Sequence, residues 1–405
     1  MIDADRIEVA LHRMALRFEQ HYQLHDGYKN SGGWGQFIDG PRLQRQIGLY
    51  GTSAGLLVLS LAGRGETTFV KGAVDLLSSW WKEGTNGYGK SKFCQNSRLA
   101  FLALCLRNTQ ESPAAQELAT EVEQELVRRA STKGKCWGDW WVEKDIQDGT
   151  PRYLATALAT LCLSVLTEAN EKVRPDLEKA CEFLERTLVT DSHLNRTERG
   201  VIAAAIIAGC RSVKKRKMLV ELRKLAHQPL STLSENHSYI YEYQYVVSEG
   251  GTPQWNRDMI FLYAEIMIGI AGFLPNAPAA LRLRSENILD RVLANMSSYD
   301  GSFRPLERVS TVEQAWCSVF LTLAKQHADH RTRGFNKIRY ELLRQRPPSK
   351  FNEIVFPVSA MTIATAITAL PSPVISASIA KLILSSFIYG IYGDKFIKKI
   401  FPGRQ

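Results

Sequence analysis

The feature that most constrains the fold is an apolar helical pattern that recurs six times. Each copy has a short polar opening and then a helix-length run rich in Ala and Leu. The copies begin at Tyr50, Asn96, Pro151, Thr197, Asn256 and Thr311. More charged segments, whose apolar residues return every three or four positions, lie between them at 67–82, 112–130, 174–188 and 281–296. A helix that is apolar nearly all round must be enclosed, whereas an amphipathic helix buries one face. The pattern therefore predicts an all-α fold of two concentric rings, with the apolar helices inside.

Glycine–aromatic turns link the charged helices to the apolar ones. They lie at 31–37, 86–93, 134–141 and 300–303. Glycine permits a tight backbone turn, and the aromatic side chain can fill the gap between adjacent helices.

These turns and the helices after them resemble the repeats of the squalene–hopene cyclase and protein prenyltransferase superfamily. The best matches are DGSF followed by STVEQAWCSVFLTLA, and GDWWVEKDIQDGTPRYLATALATL. Ser310, Thr311 and Trp316 resemble the start of that family's helix, while Gln314 comes one position early. The resemblance covers roughly residues 25–330 and implies an (α/α)6 toroid.

The charge and the cysteine content limit the possible partners and the cellular compartment. The net charge of +10 permits an anionic partner, such as a membrane surface or a phosphorylated small molecule, and no specific nucleic-acid motif is present. Seven scattered cysteines without a CxxC motif, mostly in apolar runs, indicate reduced core thiols in the cytoplasm. We predict no metal site and no cofactor.

The C-terminal segment has a different composition. After a toroid at 1–332 and a basic linker at 333–352, two apolar stretches lie at 354–370 and 374–393. Their length suits a transmembrane hairpin within 353–405, and the flanking Lys and Arg residues place both ends and the toroid in the cytoplasm. Small residues in the hairpin favour homo-oligomers. The alternative is a hairpin that packs on the toroid or lies in the membrane interface.

Aromatic or basic residues recur where the apolar helices begin. The ligand-binding candidates are Tyr50, Arg98, Arg152, Tyr153, Arg199, Arg257, Gln314 and Trp316. Helix N-termini attract anions, and arginine suits phosphate. The alternative is that these arginines pair with Glu198, Asp258 and Glu313 at a solvated rim.

The catalytic motifs of the resembled family are missing. A proton-initiated cyclase needs an acid, usually within DxDD, and none occurs. Asp139 and Asp145, near three tryptophans, are the nearest acidic candidates. A prenyltransferase needs zinc held by Asp, Cys and His, and no such set is visible around Cys317.

Three functions remain open on this evidence. The first is a membrane-anchored, non-catalytic sensor, effector or carrier that binds an anionic or isoprenoid small molecule and reaches the lipid bilayer through residues 354–393. The second is a diverged isoprenoid cyclase or an enzyme that processes prenyl diphosphates. The third is an interaction scaffold at the membrane.

Overall fold

The computed structural model of the protein describes most of the chain before residue 345. The described residues are 3–38, 47–83, 96–130, 137, 152–166, 173–210, 216–227, 237–247, 253–296, 302–303 and 310–344. The chain divides into two compact units, Met1–His330 and Arg331–Gln405.

Twelve helices form within the described residues. The first six are α1 Ala4–Gln20, α2 Leu49–Leu61, α3 Thr68–Glu83, α4 Asn96–Asn108, α5 Pro113–Arg129 and α6 Tyr153–Cys162. The others are α7 Arg174–Thr190, α8 Arg196–Gly209, α9 Arg216–His227, α10 Ala264–Phe273, α11 Ala279–Asn295 and α12 Thr311–Arg344.

The even-numbered helices form the inner ring. From α2 to α10, each contacts the next even-numbered helix, and the odd-numbered helices contact them from outside. In α2, all residues from Leu49 to Leu59 except Tyr50 are buried, while α3 buries one stripe that includes Val70, Leu77 and Trp81. The first unit is thus a mostly helical (α/α)6 toroid, which confirms the predicted architecture of two rings.

Helix α12 closes the ring. The ring of Phe320 lies against Gly269 of α10 and 5.5 Å from the ring of Phe273. On the other side, the Thr311 hydroxyl donates to the carbonyls of Gly35 and Gln36 in the glycine–aromatic turn at 31–37. Helix α12 is therefore joined to α10 and to the turn that precedes α2 through side-chain contacts that the sequence pattern alone does not specify.

The glycine–aromatic turns are held by the fourth residue of the following inner helix. Thr52 accepts a hydrogen bond from the Trp34 backbone N–H at 3.4 Å. Thr156 accepts from the Trp137 N–H and donates to its carbonyl, at 3.1 and 2.9 Å. In α12 this position is Gln314. The aromatic rings of the three turns are buried, so each fills a space between helices as expected.

Two antiparallel strand pairs depart from the all-α prediction. Strand β1 (Gln23–Leu24) pairs with β2 (Gly32–Gly33), and the longer β3 (His237–Val247) pairs antiparallel with β4 (Pro253–Tyr263). The predicted helix start at Asn256 is therefore wrong, because that residue lies in β4 and the helix begins at Ala264. Aromatic and β-branched residues at alternating positions favour a strand, and each strand supplies the other with a partner.

The predicted C-terminal hairpin lies outside the described residues. Of the second unit, the structure describes only residues 331–344, at the end of α12. Among the helices that are described, none combines the length and the apolar character needed to cross a bilayer.

Candidate functional site

One face of the toroid carries the N-terminal ends of the inner helices. The connections that enter these helices span 21–48, 84–95, 130–152, 191–195, 228–263 and 296–310. The connections that leave them span 62–67, 109–112, 163–173, 210–215 and 274–278. Long connections thus gather on the entry face, and long connections on a rigid scaffold are where binding and catalytic residues concentrate.

An aromatic and basic cluster lies inside this face. The ring of Phe101 is 5.8 Å from both Tyr50 and Trp316, measured between centroids. The Arg98 guanidinium lies 4.9 Å above the Tyr50 ring, which is a cation–π distance. The structure therefore brings together three of the predicted ligand residues, from α2, α4 and α12.

A hydrogen-bonded pair lies further round the ring. The Tyr153 hydroxyl donates to Glu198 at 2.9 Å, joining the starts of α6 and α8. Glu198 also accepts from the Asn195 backbone N–H at 2.8 Å, while the Asn195 side chain accepts from the Glu198 N–H, forming a capping box. The Glu198 carboxylate is thereby held at the helix start.

A second carboxylate, Glu265, is held by arginines. It accepts from Arg196 at 2.5 Å and lies 3.7 Å from Arg284 of α11. Burial raises the pKa of Glu265, and the arginine charges oppose that rise. This cluster ties α8, α10 and α11 together at the entry face.

Among the described carboxyl groups on this face, Glu313 has the most strongly raised pKa. It lies in the first turn of α12, its exposed fraction is 1%, and neither of its carboxyl oxygens has a hydrogen-bond partner among the described residues. Burial raises the pKa of Glu313 to about 8. The helical period places it on one face of α12 with Trp316, Cys317 and Phe320. Such a carboxyl group stays protonated near neutral pH and can serve as an acid.

Two other predicted ligand residues, Gln314 and Arg199, form hydrogen bonds with backbone groups. The Gln314 amide donates to the Phe303 carbonyl and accepts from its N–H, so its polar atoms hold the turn. Arg199 donates to the carbonyls of Leu194 and Asp191, just before α8.

The remaining predicted site residues are Arg152, Arg257, Asp139 and Asp145. Arg152 is the exposed N-cap of α6. Arg257 lies in β4 instead of at a helix N-terminus. Asp139 and Asp145 lie outside the described residues.

From the sequence, Glu313 was expected only as a rim partner for arginine, and no role was predicted for Glu265. The available signal was a glutamate in the first turn of an otherwise apolar inner helix. Its importance depends on complete burial, which the local sequence does not reveal.

A cavity of about 520 Å³ lies at the other end of the inner helices. It is lined by residues that include the last residue of α2, Leu61, together with His12 and Thr322. Glu8 and Lys325 also line it, and Lys325 donates to Glu8 at 2.7 Å. Glu8 therefore provides a control position for glutamate substitutions on the entry face.

Comparison with known proteins identifies the fold. No protein-family model matches the chain, and no curated protein matches it either. Among solved structures, an inactive variant of the GH76 α-1,6-mannanase of Salegentibacter sp. HEL1_6 in complex with α-1,6-mannotriose is similar, with 13% identity and a TM-score of 0.50. The match covers 79% of this chain and 99% of that one. The unsaturated glucuronyl hydrolase of Bacillus sp. GL1 has 12% identity and a TM-score of 0.52, over 80% of this chain and 96% of that one.

These neighbours correct two predictions. Both are (α/α)6 toroid glycosidases, so the predicted relationship to squalene–hopene cyclases and prenyltransferases is wrong, although the toroid itself is right. The predicted non-catalytic protein that binds an anionic or isoprenoid ligand is likewise overturned. Terpenoid cyclases and these glycosidases share the alternation of inner and outer helices, and a pattern of helix periods does not distinguish between them.

Proposed function

We propose that the toroid is a carbohydrate-processing enzyme, a glycoside hydrolase in which Glu313 is the proton donor. The observation that carries the proposal is a fully buried carboxyl group at the start of an inner helix, with no hydrogen-bond partner in the part of the chain that the structure describes. The fold that the chain shares with a mannanase and a glucuronyl hydrolase supports a glycan as the substrate.

The proposed reaction uses two carboxyl groups, as glycoside hydrolysis generally does. Glu313 gives its proton to the oxygen of the leaving sugar as the glycosidic C–O bond breaks. A water molecule forms the new bond to the anomeric carbon and passes its proton to a second carboxylate. We assign this second role to Glu198, which is more exposed than Glu265 and is not held by two arginines.

The test is hydrolysis by the full chain of α-1,6-mannotetraose and of glycosaminoglycan oligosaccharides that end in an unsaturated glucuronyl residue. Glu313→Gln should lower kcat by about 10² to 10⁴, the usual contribution of a general acid. Activity of the native protein should fall as the pH rises through about 8, because Glu313 then loses its proton. Glu8→Gln, at the other end of the inner helices, should have no effect. Full activity in Glu313→Gln, or no hydrolysis by the native chain, would refute the proposal.

We also propose, from the sequence alone, that residues 354–370 and 374–393 attach the protein to a bilayer, with the toroid on the cytoplasmic side. Two apolar stretches flanked by basic residues support this. The full chain should float with phosphatidylglycerol-containing vesicles in a density gradient, and a chain ending at His330 should not. Equal behaviour of the two chains would contradict the proposal. Crosslinking in the same vesicles tests homo-oligomer formation.

A further inference from the structure

We propose that Cys181 and Cys210 form a modification site, in which glutathione disulfide oxidises the two thiols to a disulfide that ties α7 to the end of α8. Cys210 follows the last residue of α8, at the opposite end of that helix from the entry face. The proposal is independent of the proposed hydrolase activity.

The two thiols are neighbours in the fold, although they belong to different helices. Cys181 lies within α7, and Cys210 is the C-cap residue of α8. The thiols of Cys181 and Cys210 are hydrogen-bonded to each other. A Cβ atom added to Gly209 would lie 2.9 Å from the Cys181 sulfur. The Cys181 sulfur therefore lies directly against the end of α8, beside Cys210, and both residues are free thiols in the structure.

The backbone at Cys210 is fixed on both sides of the side chain. Its N–H donates to the Ile206 carbonyl at 2.9 Å, and its carbonyl accepts from the Asn276 side-chain amide at 3.5 Å. Cys181 is held by the regular helix of α7. Because the thiols are already in contact, the movement needed to form an S–S bond of about 2 Å is short.

The surroundings of the two thiols set the order of reaction. Cys210 is half-buried, whereas the exposed fraction of Cys181 is 2%. The hydrogen bond with Cys210, burial and the nearby charge of Glu185 all raise the pKa of Cys181. Thiol–disulfide exchange begins with an accessible thiolate. An external disulfide therefore reacts first with Cys210, and Cys181 then resolves the mixed disulfide.

The oxidation consists of two exchanges. The Cys210 thiolate attacks one sulfur of glutathione disulfide, the S–S bond of that molecule breaks, and one glutathione leaves and takes up a proton. The Cys181 sulfur then releases its proton and attacks the Cys210 sulfur of the mixed disulfide, and the second glutathione leaves as a thiol. In sum, two protein thiols are oxidised to one disulfide, and glutathione disulfide is reduced to two molecules of glutathione.

The sequence next to Cys210 suits an anionic oxidant. Five of the seven residues at 211–217 are Lys or Arg, and the first of them follows Cys210 directly. Each half of glutathione disulfide carries two carboxylates and one ammonium group, so the molecule is an anion near neutral pH. A concentration of positive charge raises the local concentration of such a reagent, and salt screens the attraction.

A second pair of thiols provides an internal control. Burial, together with the neighbouring Cys162, raises the pKa of Cys105. Both residues are enclosed, with exposed fractions of 0% and 1%. Proximity is thus common to the two pairs, whereas access from solvent belongs only to the pair that contains Cys210.

The experiment maps the cysteines of the full chain by mass spectrometry. The reduced protein is incubated with glutathione disulfide, denatured in the presence of N-ethylmaleimide and digested with trypsin. Cys181 is then in the peptide ACEFLER and Cys210 in GVIAAAIIAGCR. The expected product is a disulfide between these two peptides, with the other five of the seven cysteines alkylated. High salt should slow its formation at least threefold and should have little effect on oxidation by the neutral hydroxyethyl disulfide.

Single substitutions separate the two roles. Cys181→Ser should leave glutathione attached to Cys210, because no second thiol resolves the mixed disulfide. Cys210→Ser should leave Cys181 unmodified, because the reagent does not reach it. The matched control, Cys162→Ser, should form the cross-linked peptide at the native rate.

Three results would overturn the proposal. The first is alkylation of both Cys181 and Cys210 in the native chain after incubation with glutathione disulfide. The second is a cross-linked peptide that appears only together with a disulfide between Cys105 and Cys162, since that requires the core to open. The third is attachment of glutathione to Cys181 in Cys210→Ser. An oxidation rate that does not change with salt would contradict the choice of an anionic oxidant.

Discussion

At the residue scale, Glu313 links the candidate chemistry to stability. Its pKa rises from 4.5 to about 8 on folding because burial disfavours the charged form. Between these values the unfolded chain has released a proton that the folded chain keeps, so stability decreases as the pH rises through this range. The decrease amounts to about 5 kcal/mol at most.

The prediction is that Glu313→Gln removes this dependence. Relative to the native chain, the variant should be increasingly more stable from pH 5 to pH 8 and level off above that. Urea denaturation at a series of pH values measures this. Parallel stability profiles for the two proteins would show that Glu313 is not buried as an uncharged acid.

Gln314 is a structural residue at a position where a ligand contact was expected. Its amide forms two hydrogen bonds with the backbone of Phe303, at 2.6 and 2.9 Å, in a buried environment. Gln314→Ala should lower the free energy of unfolding by about 3 kcal/mol, because it leaves two buried backbone groups without partners. Thr120→Ala, which removes an exposed hydroxyl bonded to Gln116, should cost well under 1 kcal/mol. Equal losses in thermal denaturation would contradict this role.

At the element scale, the junction between the first turn and α2 depends on small residues. A Cβ atom added to Gly51 would lie 2.2 Å from the Gly35 carbonyl oxygen and 2.3 Å from that of Trp34. Backbone atoms cannot move aside as a side chain does, so Gly51→Ala should destabilise the fold by about 3 kcal/mol. Gly27→Ala, whose added atom would meet only the His25 ring at 3.4 Å, is the control. The difference between their urea midpoints measures the effect, and equal midpoints would disprove the clash.

Most helix positions were predictable because helix periodicity is local. Five of the six inner helices begin within two residues of the predicted position. The predicted start of the remaining inner helix, α10, is wrong because residues 253–263 form a strand that pairs with 237–247. Strand pairing depends on a distant partner. A sequence such as NRDMIFLYAEI is compatible with either a helix or a strand until that partner is known.

At the scale of the whole molecule, closure of the ring depends on α12. A chain ending at His330 keeps the contacts of Thr311 with Gly35 and of Phe320 with Gly269. It should unfold in a single cooperative transition. A chain ending at residue 309 leaves apolar faces of α2 and α10 uncovered and should lose that transition. Calorimetry of the two chains tests this, and similar transitions would mean that α12 does not complete the core.

The sequence by itself determined the alternation of enclosed and amphipathic helices, and with it the two rings. The reason is that the spacing of apolar residues along a helix, which is a local property, sets which faces of the helix are buried. It also placed aromatic residues at the turns. Only the tertiary structure decided that Glu313 has no hydrogen-bond partner among the described residues, that the Gln314 amide bonds to the backbone of a turn, and that β3 pairs with β4. Each of these depends on groups that are distant in the chain, and the free energy of a buried polar group is set by those neighbours.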